Sequence, residues 1–223
     1  MGIPWRAATA EAQEEETLDP AIALLIVGAY FVGSVPTSFL AGRLAGVDLR
    51  KQGSKNLGAT NVYRVLGWKY AVPVGLVDVA KGAVPVLLAV RWAGDREWIP
   101  LAVGCAAVTG HAFSLFLRFK GGKGVATAAG AVLVLAPAPL AISAVIWLTI
   151  LTATGYMSLA SMLGALAFPL AVRALMPESM YTFWTGMALV AFIFYTHRSN
   201  IMRLVSGNEN RFGRRAKTAG RDA

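Results

Sequence analysis

Long apolar segments separated by short polar connections dominate this sequence from residue 21 onward. About 20 consecutive apolar residues are enough to cross a bilayer as a helix, so the pattern predicts roughly seven membrane spans. The fourth segment is short, and Pro137 and Pro139 separate it from the fifth, which leaves five or six spans if it is re-entrant. We therefore predict an all-α, polytopic transmembrane helical bundle. Its apolar segments cover approximately residues 21–45, 69–92, 98–118, 124–136, 138–155, 158–175 and 180–197.

Composition and length agree with a membrane protein of one domain. Hydrophobic residues make up 56% of the 223 positions, and charged residues only 15%. This length allows one transmembrane domain, which we place at residues 19–205. The polar stretch 1–18 is predicted to be a disordered extension, and 206–223 a basic cytoplasmic tail. Cys105 is the only cysteine, which excludes intrachain disulfides and cysteine-based metal clusters.

The distribution of positive charge predicts an orientation. The net charge is +9, and most Lys and Arg residues lie after the first, third and last apolar segments. By the positive-inside rule, the N-terminus is predicted to lie outside and the C-terminus in the cytoplasm. Such a cationic face suits anionic lipid headgroups or anionic substrates. Nucleic acid is not expected as a partner, because the sequence contains no basic soluble module.

The first of three polar clusters runs from Gly53 to Arg64. It combines glycines and cations with short polar side chains, among them Ser54, Thr60 and Asn61. Backbone N–H groups and hydroxyls of such a loop can converge on phosphate oxygens while Lys and Arg supply positive charge. A solvated basic loop between two membrane helices explains the segment equally well, so both interpretations stay open.

The second cluster covers residues 119–127 and leads into an apolar segment. Three glycines, Gly121, Gly122 and Gly124, surround Lys123. A helix that begins after such a loop presents free N–H groups and the positive end of its dipole to an anion. The segment is not a P-loop, because glycine follows Lys123 where that motif has Ser or Thr. The alternative is a flexible turn whose lysines lie among the headgroups.

The third cluster contains His197 and Asn200, followed by Arg203 and Glu209. His197 and Asn200 share one face if the helix continues, because they are three residues apart. An unperturbed histidine titrates near neutral pH and can exchange protons or donate to an anion. A histidine at a helix end in the headgroup region explains the same residues. We expect Glu209 to brace the tail through an arginine.

Other polar residues lie within the apolar segments. Asp78 and Lys81 are three residues apart, and charges inside a membrane need a partner, so a structural ion pair is favoured over catalysis. His111 is interpreted as a packed or supporting residue. Ser161 alone would only indicate a helix interface. Two histidines and no paired carboxylates argue against a catalytic metal site.

Taken in order, the clusters resemble the bacterial membrane glycerol-3-phosphate acyltransferases that use acyl phosphate as donor. The resemblance covers roughly residues 21–212. Departures occur at Lys55, Leu57 and Ser114, where that family often has a smaller residue or proline, and they affect local loop shape. The matching stretches are Gly33–Thr37, Arg50–Arg64, Gly110 with His111, Phe119–Thr127 and His197–Glu209.

The resemblance implies transfer of an acyl group from acyl phosphate to the sn-1 hydroxyl of glycerol 3-phosphate. This reaction yields lysophosphatidate and phosphate, needs no cofactor or metal, and takes place at the cytoplasmic face of the bacterial inner membrane. The implied catalytic residues are Ser54, Arg64, Lys123, His197 and Asn200. The implied substrate contacts are Thr60, Asn61, Gly121, Gly122, Gly124 and Ser161. The implied supporting residues are His111 and Glu209, and Asp78 with Lys81 adds the structural ion pair that their spacing predicts.

Within this site, Ser54, Thr60, Lys123 and nearby glycine N–H groups are expected to hold one phosphate and the developing oxyanion. Arg64, His197 and Asn200 are expected to hold glycerol 3-phosphate. A covalent role for Ser54 lacks a base partner in the sequence. Two rival functions remain: a transporter of a phosphorylated metabolite and a lipid-binding scaffold without enzymatic activity. Polar loops on only one side of the membrane argue against the transporter.

Overall fold

Ten α-helices and one 3₁₀ turn make up the computed structural model, which describes residues 19–213. No β-strand occurs within that range. The predicted extension 1–18 and the end of the predicted tail, 214–223, lie outside the described residues. The helices are α1 (Pro20–Ser34), α2 (Thr37–Leu44), α3 (Ala59–Leu66), α4 (Trp68–Ala93), α5 (Trp98–Ala112), α6 (Val125–Leu135), α7 (Pro137–Thr154), α8 (Met157–Leu175), α9 (Met180–Thr196) and α10 (Arg198–Val205).

The helices confirm the predicted all-helical, polytopic membrane architecture. Within residues 19–213, five helical segments are long and apolar enough to cross a membrane. Two shorter apolar helices, α6 and α9, complete the seven segments that the sequence pattern predicts. The first predicted segment is interrupted at Val35 and Pro36, between α1 and α2. The five long segments are Pro20–Leu44, Trp68–Ala93, Trp98–Leu117, Pro137–Thr154 and Met157–Leu175.

Glycines allow pairs of helices to approach closely, as is common in membrane bundles. Where α1 crosses α5, Gly33 lies against the backbone carbonyl of Ala107, and Gly110 lies against that of Tyr30. A side chain at either glycine would collide with backbone, which cannot move aside like a flexible side chain. The same arrangement joins α4 to α6, where Gly82 contacts the carbonyl of Thr127.

The α4–α6 contact places the start of α6 deep in the bundle. Gly82 lies about 21 Å along α4 from Trp68, at about 1.5 Å per residue. Because Gly82 contacts Thr127 in the first turn of α6, the polar loop 118–124 reaches the middle of α4. Helix α6 has 11 residues and is about 16 Å long, too short to cross a hydrocarbon core of about 30 Å alone. The second polar cluster is therefore recessed among the helices.

The segment after α10 folds back onto the bundle. The backbone N–H of Phe212 donates to the carbonyl of Gly155 at 2.7 Å. The Phe212 ring packs against Tyr63, with ring centroids 5.1 Å apart, and against Trp68. The sequence placed the domain boundary at residue 205. Residues up to Phe212 instead contact the bundle, because an aromatic side chain and Glu209 both find partners there.

Candidate functional site

A cavity of about 540 Å³ opens between the first turns of α3 and α6 and helices α7, α8 and α9. One end is polar and the remainder is apolar. The first turns of two helices, α3 and α6, line the polar end, which places two positive dipole ends there. The predicted site residues that line this cavity are Ser54, Thr60, Asn61, Arg64, Asp78, His111, Lys123, Gly124, Ser161, His197, Asn200 and Glu209.

A chain of hydrogen bonds orients the ammonium group of Lys123. Lys123 Nζ donates to Asn200 Oδ1, and Asn200 Nδ2 donates to Glu209 Oε1 at 2.7 Å. The other oxygen of Glu209 accepts from Arg203 Nε at 2.8 Å, so the expected Glu209–arginine pair is present. Because the carboxylate holds the amide nitrogen, the amide oxygen of Asn200 must face Lys123. Burial lowers the pKa of Lys123 to about 8, against the opposing pull of Glu209.

Arg64 is a buried cation without a partner in the described part of the chain. Its side chain lies in the last turn of α3, and the residue is 9% exposed. Within residues 19–213, no carboxylate lies within 4.0 Å of its guanidinium and no side chain or carbonyl accepts from it. Burial lowers its pKa, and the charge of Glu209 opposes this shift. The guanidinium faces the cavity and has no partner within residues 19–213, so it is placed to receive an anion from outside the protein.

The imidazole of His197 is held in one tautomer. Its Nδ1 lies 2.8 Å from the carbonyl oxygen of Ile193, so Nδ1 carries the proton and donates. Nε2 is then the nitrogen that accepts. Burial, and secondly the charge of Lys123, lower the pKa of His197 to about 4. The sequence predicted a group that titrates near neutral pH. In the ligand-free structure, burial disfavours the protonated form of His197, and Nε2 is the ring nitrogen that can accept a hydrogen bond.

Asn61 braces the loop that carries Ser54. Its Oδ1 accepts from the backbone N–H of Ser54 at 2.8 Å, and its Nδ2 donates to the carbonyls of Leu49 and Gln52. Asn61 is almost fully buried. These bonds use most of its hydrogen-bonding capacity within the protein. The structure therefore revises the expectation that Asn61 itself binds substrate, and assigns it to positioning Ser54.

The glycine-rich loop differs from the expected phosphate cradle. The N–H groups of Gly121 and Gly122 donate to the carbonyls of Ala112 and His111, at 2.9 and 3.1 Å. A side chain at Gly121 or Gly122 would collide with His111. These two glycines dock the loop onto the end of α5, which corrects the prediction that their N–H groups bind substrate. Gly124, at φ +81°, begins α6, and the first turn of that helix still faces the cavity.

Asp78, Lys81 and His111 form a buried cluster beside the cavity. Lys81 Nζ lies 2.8 Å from Asp78 Oδ1, as the spacing predicts, and 3.4 Å from His111 Nδ1. Lys81 also donates to the carbonyl of Val35, and the Thr37 hydroxyl donates to Asp78 at 2.5 Å. The cluster thus joins the break between α1 and α2 to α4 and α5. Through His111 it also supports the glycine-rich loop.

A second, polar cavity of about 360 Å³ adjoins the first. Ser54, Asn56 and Lys123 line both cavities. Lys55, which the sequence left between a phosphate contact and a headgroup cation, lines only this smaller one. Positive charge dominates its wall, so the smaller cavity is suited to a phosphate. Its cationic side chains are Lys55, Lys120, Lys123, Arg198 and Arg203.

Residues outside the predicted set also line the larger cavity. The hydroxyl of Ser158 donates to Glu209 at 3.1 Å, whereas that of Ser161 donates to the carbonyl of Met157. Asn56 and Trp147 line the wall as well. No local pattern in the sequence distinguishes Ser158, Asn56 or Trp147 as site residues, although Asn56 lies within the first polar cluster.

The chain matches the family model described as "Glycerol-3-phosphate acyltransferase" over residues 23–207. A glycerol-3-phosphate acyltransferase from Geobacter sulfurreducens is 44% identical over 191 residues, covering 85% of this chain and 96% of the relative. One from Thermus thermophilus is 45% identical over 190 residues, covering 85% of this chain and 94% of the relative.

Two solved structures share the fold. Both are described as crystal structures of PlsY (YgiH), an integral membrane glycerol 3-phosphate acyltransferase. The glycerol 3-phosphate form matches with a TM-score of 0.83 and 40% identity, covering 86% of this chain and 96% of that one. The lysophosphatidic acid form matches with a TM-score of 0.81 and 39% identity, covering 87% and 96%.

Proposed function

The chain belongs to the glycerol-3-phosphate acyltransferase family, and from this premise we propose that it transfers a fatty acyl group from acyl phosphate to the sn-1 hydroxyl of glycerol 3-phosphate. The products are 1-acylglycerol 3-phosphate and inorganic phosphate, and the reaction begins phospholipid synthesis. The glycerol 3-phosphate and lysophosphatidic acid forms of the related structures support this acceptor and product.

The observation that carries the proposal is the pair of cations at the polar end of an apolar cavity. Arg64 has no partner among residues 19–213, and Lys123 contacts only a neutral amide. Both side chains line the cavity of about 540 Å³ whose remaining wall is mostly apolar. A phosphate joined to a long acyl chain matches this combination, since its charge meets the cations and its chain meets the apolar wall.

We assign the two phosphates to different groups of residues. Ser54, Thr60 and Lys123 hold the donor phosphate, and the smaller cavity beyond Ser54 and Lys123 receives the departing phosphate. Arg64, His197 and Asn200 hold glycerol 3-phosphate at the polar end of the larger cavity. The assignment brings the acceptor hydroxyl near the donor carbonyl and keeps each phosphate beside at least one cation.

In this arrangement the chain catalyses mainly by positioning and charge stabilisation. The acceptor hydroxyl oxygen forms a bond to the acyl carbon, and the bond from that carbon to the phosphate oxygen breaks. The departing phosphate takes the hydroxyl proton. His197 serves as a hydrogen-bond acceptor through Nε2, because its low pKa makes it a weak base. Lys123 stabilises the negative charge that develops on the carbonyl and the phosphate.

We further propose that the site lies on the cytoplasmic side of the bacterial inner membrane. This proposal follows from the sidedness of Lys and Arg in the sequence, with the N-terminus outside and the C-terminus in the cytoplasm. Anionic lipid headgroups would then surround the cationic connections on that face.

Phosphate release tests the proposed reaction directly. Purified protein in lipid vesicles is mixed with acyl phosphate and glycerol 3-phosphate, and phosphate and lysophosphatidate are quantified. We expect both products in equal amounts, and only when both substrates are present. Parallel reactions with acyl-CoA or acylated acyl carrier protein as donor should give no product. A folded sample that releases no phosphate with acyl phosphate would refute the proposal.

The pKa of Lys123 predicts an alkaline limit to activity. Only the ammonium form stabilises phosphate. We therefore expect kcat/KM to fall as the pH rises through about 8, the pKa of Lys123 in the free enzyme. Lys123→Arg keeps its charge to much higher pH, so the residual activity of this variant should not show the fall in kcat/KM at alkaline pH. Full pH–rate profiles of both proteins provide the measurement. An unchanged alkaline limb in Lys123→Arg would assign the titration to another group.

A further inference from the structure

A buried aromatic residue, Phe168, lies at the apolar end of the larger cavity. We propose that Phe168 sets the longest acyl chain that the enzyme transfers efficiently, an inference that rests on the proposed function. Four observations support it: the depth of the cavity, the packing at its deep end, the contact of the Phe168 ring with Gly186, and the absence of charge in the lower wall.

The depth of the cavity follows from residues that line it at two levels. On each of four helices, a residue near the polar end is matched by another seven positions away, or about 10 Å along the helix axis. Measured from Ser158 to Phe168, the wall is about 15 Å long, about half of a hydrocarbon core of about 30 Å. The cavity therefore has the depth of one lipid leaflet. The paired positions are Val125 with Val132, Trp147 with Leu140, Ser161 with Phe168, and Ile193 with Gly186.

A buried apolar cluster lies at the deep end of the cavity. Phe168 is 6% exposed and packs with Val132, Ala136 and Val172. Leu140 and Leu189, which line the lower wall, pack against the same cluster. The side chains of the lower wall carry no charge. A chain that enters from the polar end therefore remains in apolar surroundings until it reaches the Phe168 ring.

The ring of Phe168 packs against Gly186 of α9, which lines the same part of the cavity. A Cβ atom at Gly186 would lie 3.1 Å from Phe168 Cδ1 and 3.3 Å from Cε1. The ring thus lies directly on the backbone of α9. A larger residue at position 186 must push the ring or occupy the lower cavity itself. The two positions therefore predict opposite changes: removing the ring deepens the cavity, and filling the space at Gly186 makes it shallower.

The test compares chain-length profiles of kcat/KM with a series of saturated acyl phosphates that lengthen by two methylenes at a time. Phe168→Ala should move the maximum to longer chains. For a chain two methylenes longer than the wild-type optimum, kcat/KM relative to its value at that optimum should rise about tenfold. Phe168→Leu should move it by less in the same direction, and it retains most of the packing if alanine unfolds the protein. Gly186→Ala should move the maximum to shorter chains.

Leu170→Ala is the matched control, because Leu170 lies on the same helix and is 63% exposed on the outer surface. Its profile should match that of the wild type. A flat wild-type profile, or folded Phe168 variants with the control's profile, would overturn the inference while leaving the proposed function intact. No turnover of any acyl phosphate by the folded wild type would overturn both.

Discussion

Replacing Lys123 with alanine is expected to reduce kcat by at least about a thousandfold, because it removes the charge that both cavities share. Lys123 lines both cavities, and in the proposed arrangement its ammonium group faces the donor phosphate and the reacting carbonyl, where negative charge grows during transfer. A neutral side chain leaves that charge facing a mostly apolar cavity. Phosphate release at saturating concentrations of both substrates measures the effect. Substrate binding should weaken less than turnover falls.

Lys69→Ala is the control for this prediction. Lys69 lies in the first turn of α4, is exposed, and lines neither cavity. The Lys69→Ala substitution removes the same formal charge as Lys123→Ala, from the same face of the protein. We expect turnover close to that of the wild type. Equal losses in the Lys69 and Lys123 variants would indicate a general electrostatic effect and would remove Lys123 from the catalytic site.

Replacing Arg64 with alanine is expected to lower kcat/KM for glycerol 3-phosphate by about 10² to 10³-fold, mainly through KM. The residue is buried and has no anionic partner within residues 19–213, so its charge is available for the acceptor phosphate. For the same reason, the substitution should not lower the melting temperature of the ligand-free protein. The guanidinium faces the cavity and makes no ion pair within residues 19–213, so its removal breaks no such contact that stabilises the fold.

Two further variants sharpen the Arg64 prediction. Arg64→Lys should recover only part of the activity, because an ammonium group cannot bind two phosphate oxygens in parallel as a guanidinium does. Arg43→Ala, at an exposed position in the last turn of α2, should leave KM for glycerol 3-phosphate unchanged. Wild-type KM values in Arg64→Ala would exclude Arg64 from the acceptor site. A large fall in melting temperature would show that its role is structural.

Much of the architecture could be predicted from the sequence, because membrane helices are specified by local composition. Each span needs a long apolar run to satisfy the bilayer, and that requirement is visible without knowledge of the fold. The seven predicted segments correspond to helices in the structure, including the unusually short α6. The break between α1 and α2 at Pro36 was not predicted, because its stabilising contacts come from Lys81 and Asp78 on α4.

The candidate site was only partly predictable from the sequence. The polar clusters identified Arg64, Lys123, His197 and Asn200, which the structure brings to one cavity. The loop N–H groups could not be assigned in advance. Those of Gly121 and Gly122 are occupied by carbonyls at the end of α5, a partner that no local pattern reveals. The same limit applies to Asn61, whose side-chain amide forms hydrogen bonds with the loop that precedes it.

The sequence by itself determined a multi-span helical bundle and the three polar clusters that contribute to its candidate site. Both are local properties, set by the apolar length of each span and by the residue types in each loop. Only the tertiary structure decided which polar groups stay free for substrate and which stabilise the fold. Glu209 turns the amide oxygen of Asn200 toward Lys123, and burial lowers the pKa of His197. Both effects depend on neighbours that are distant in the chain or on exclusion of water by packed helices, so neither can be read from the local sequence.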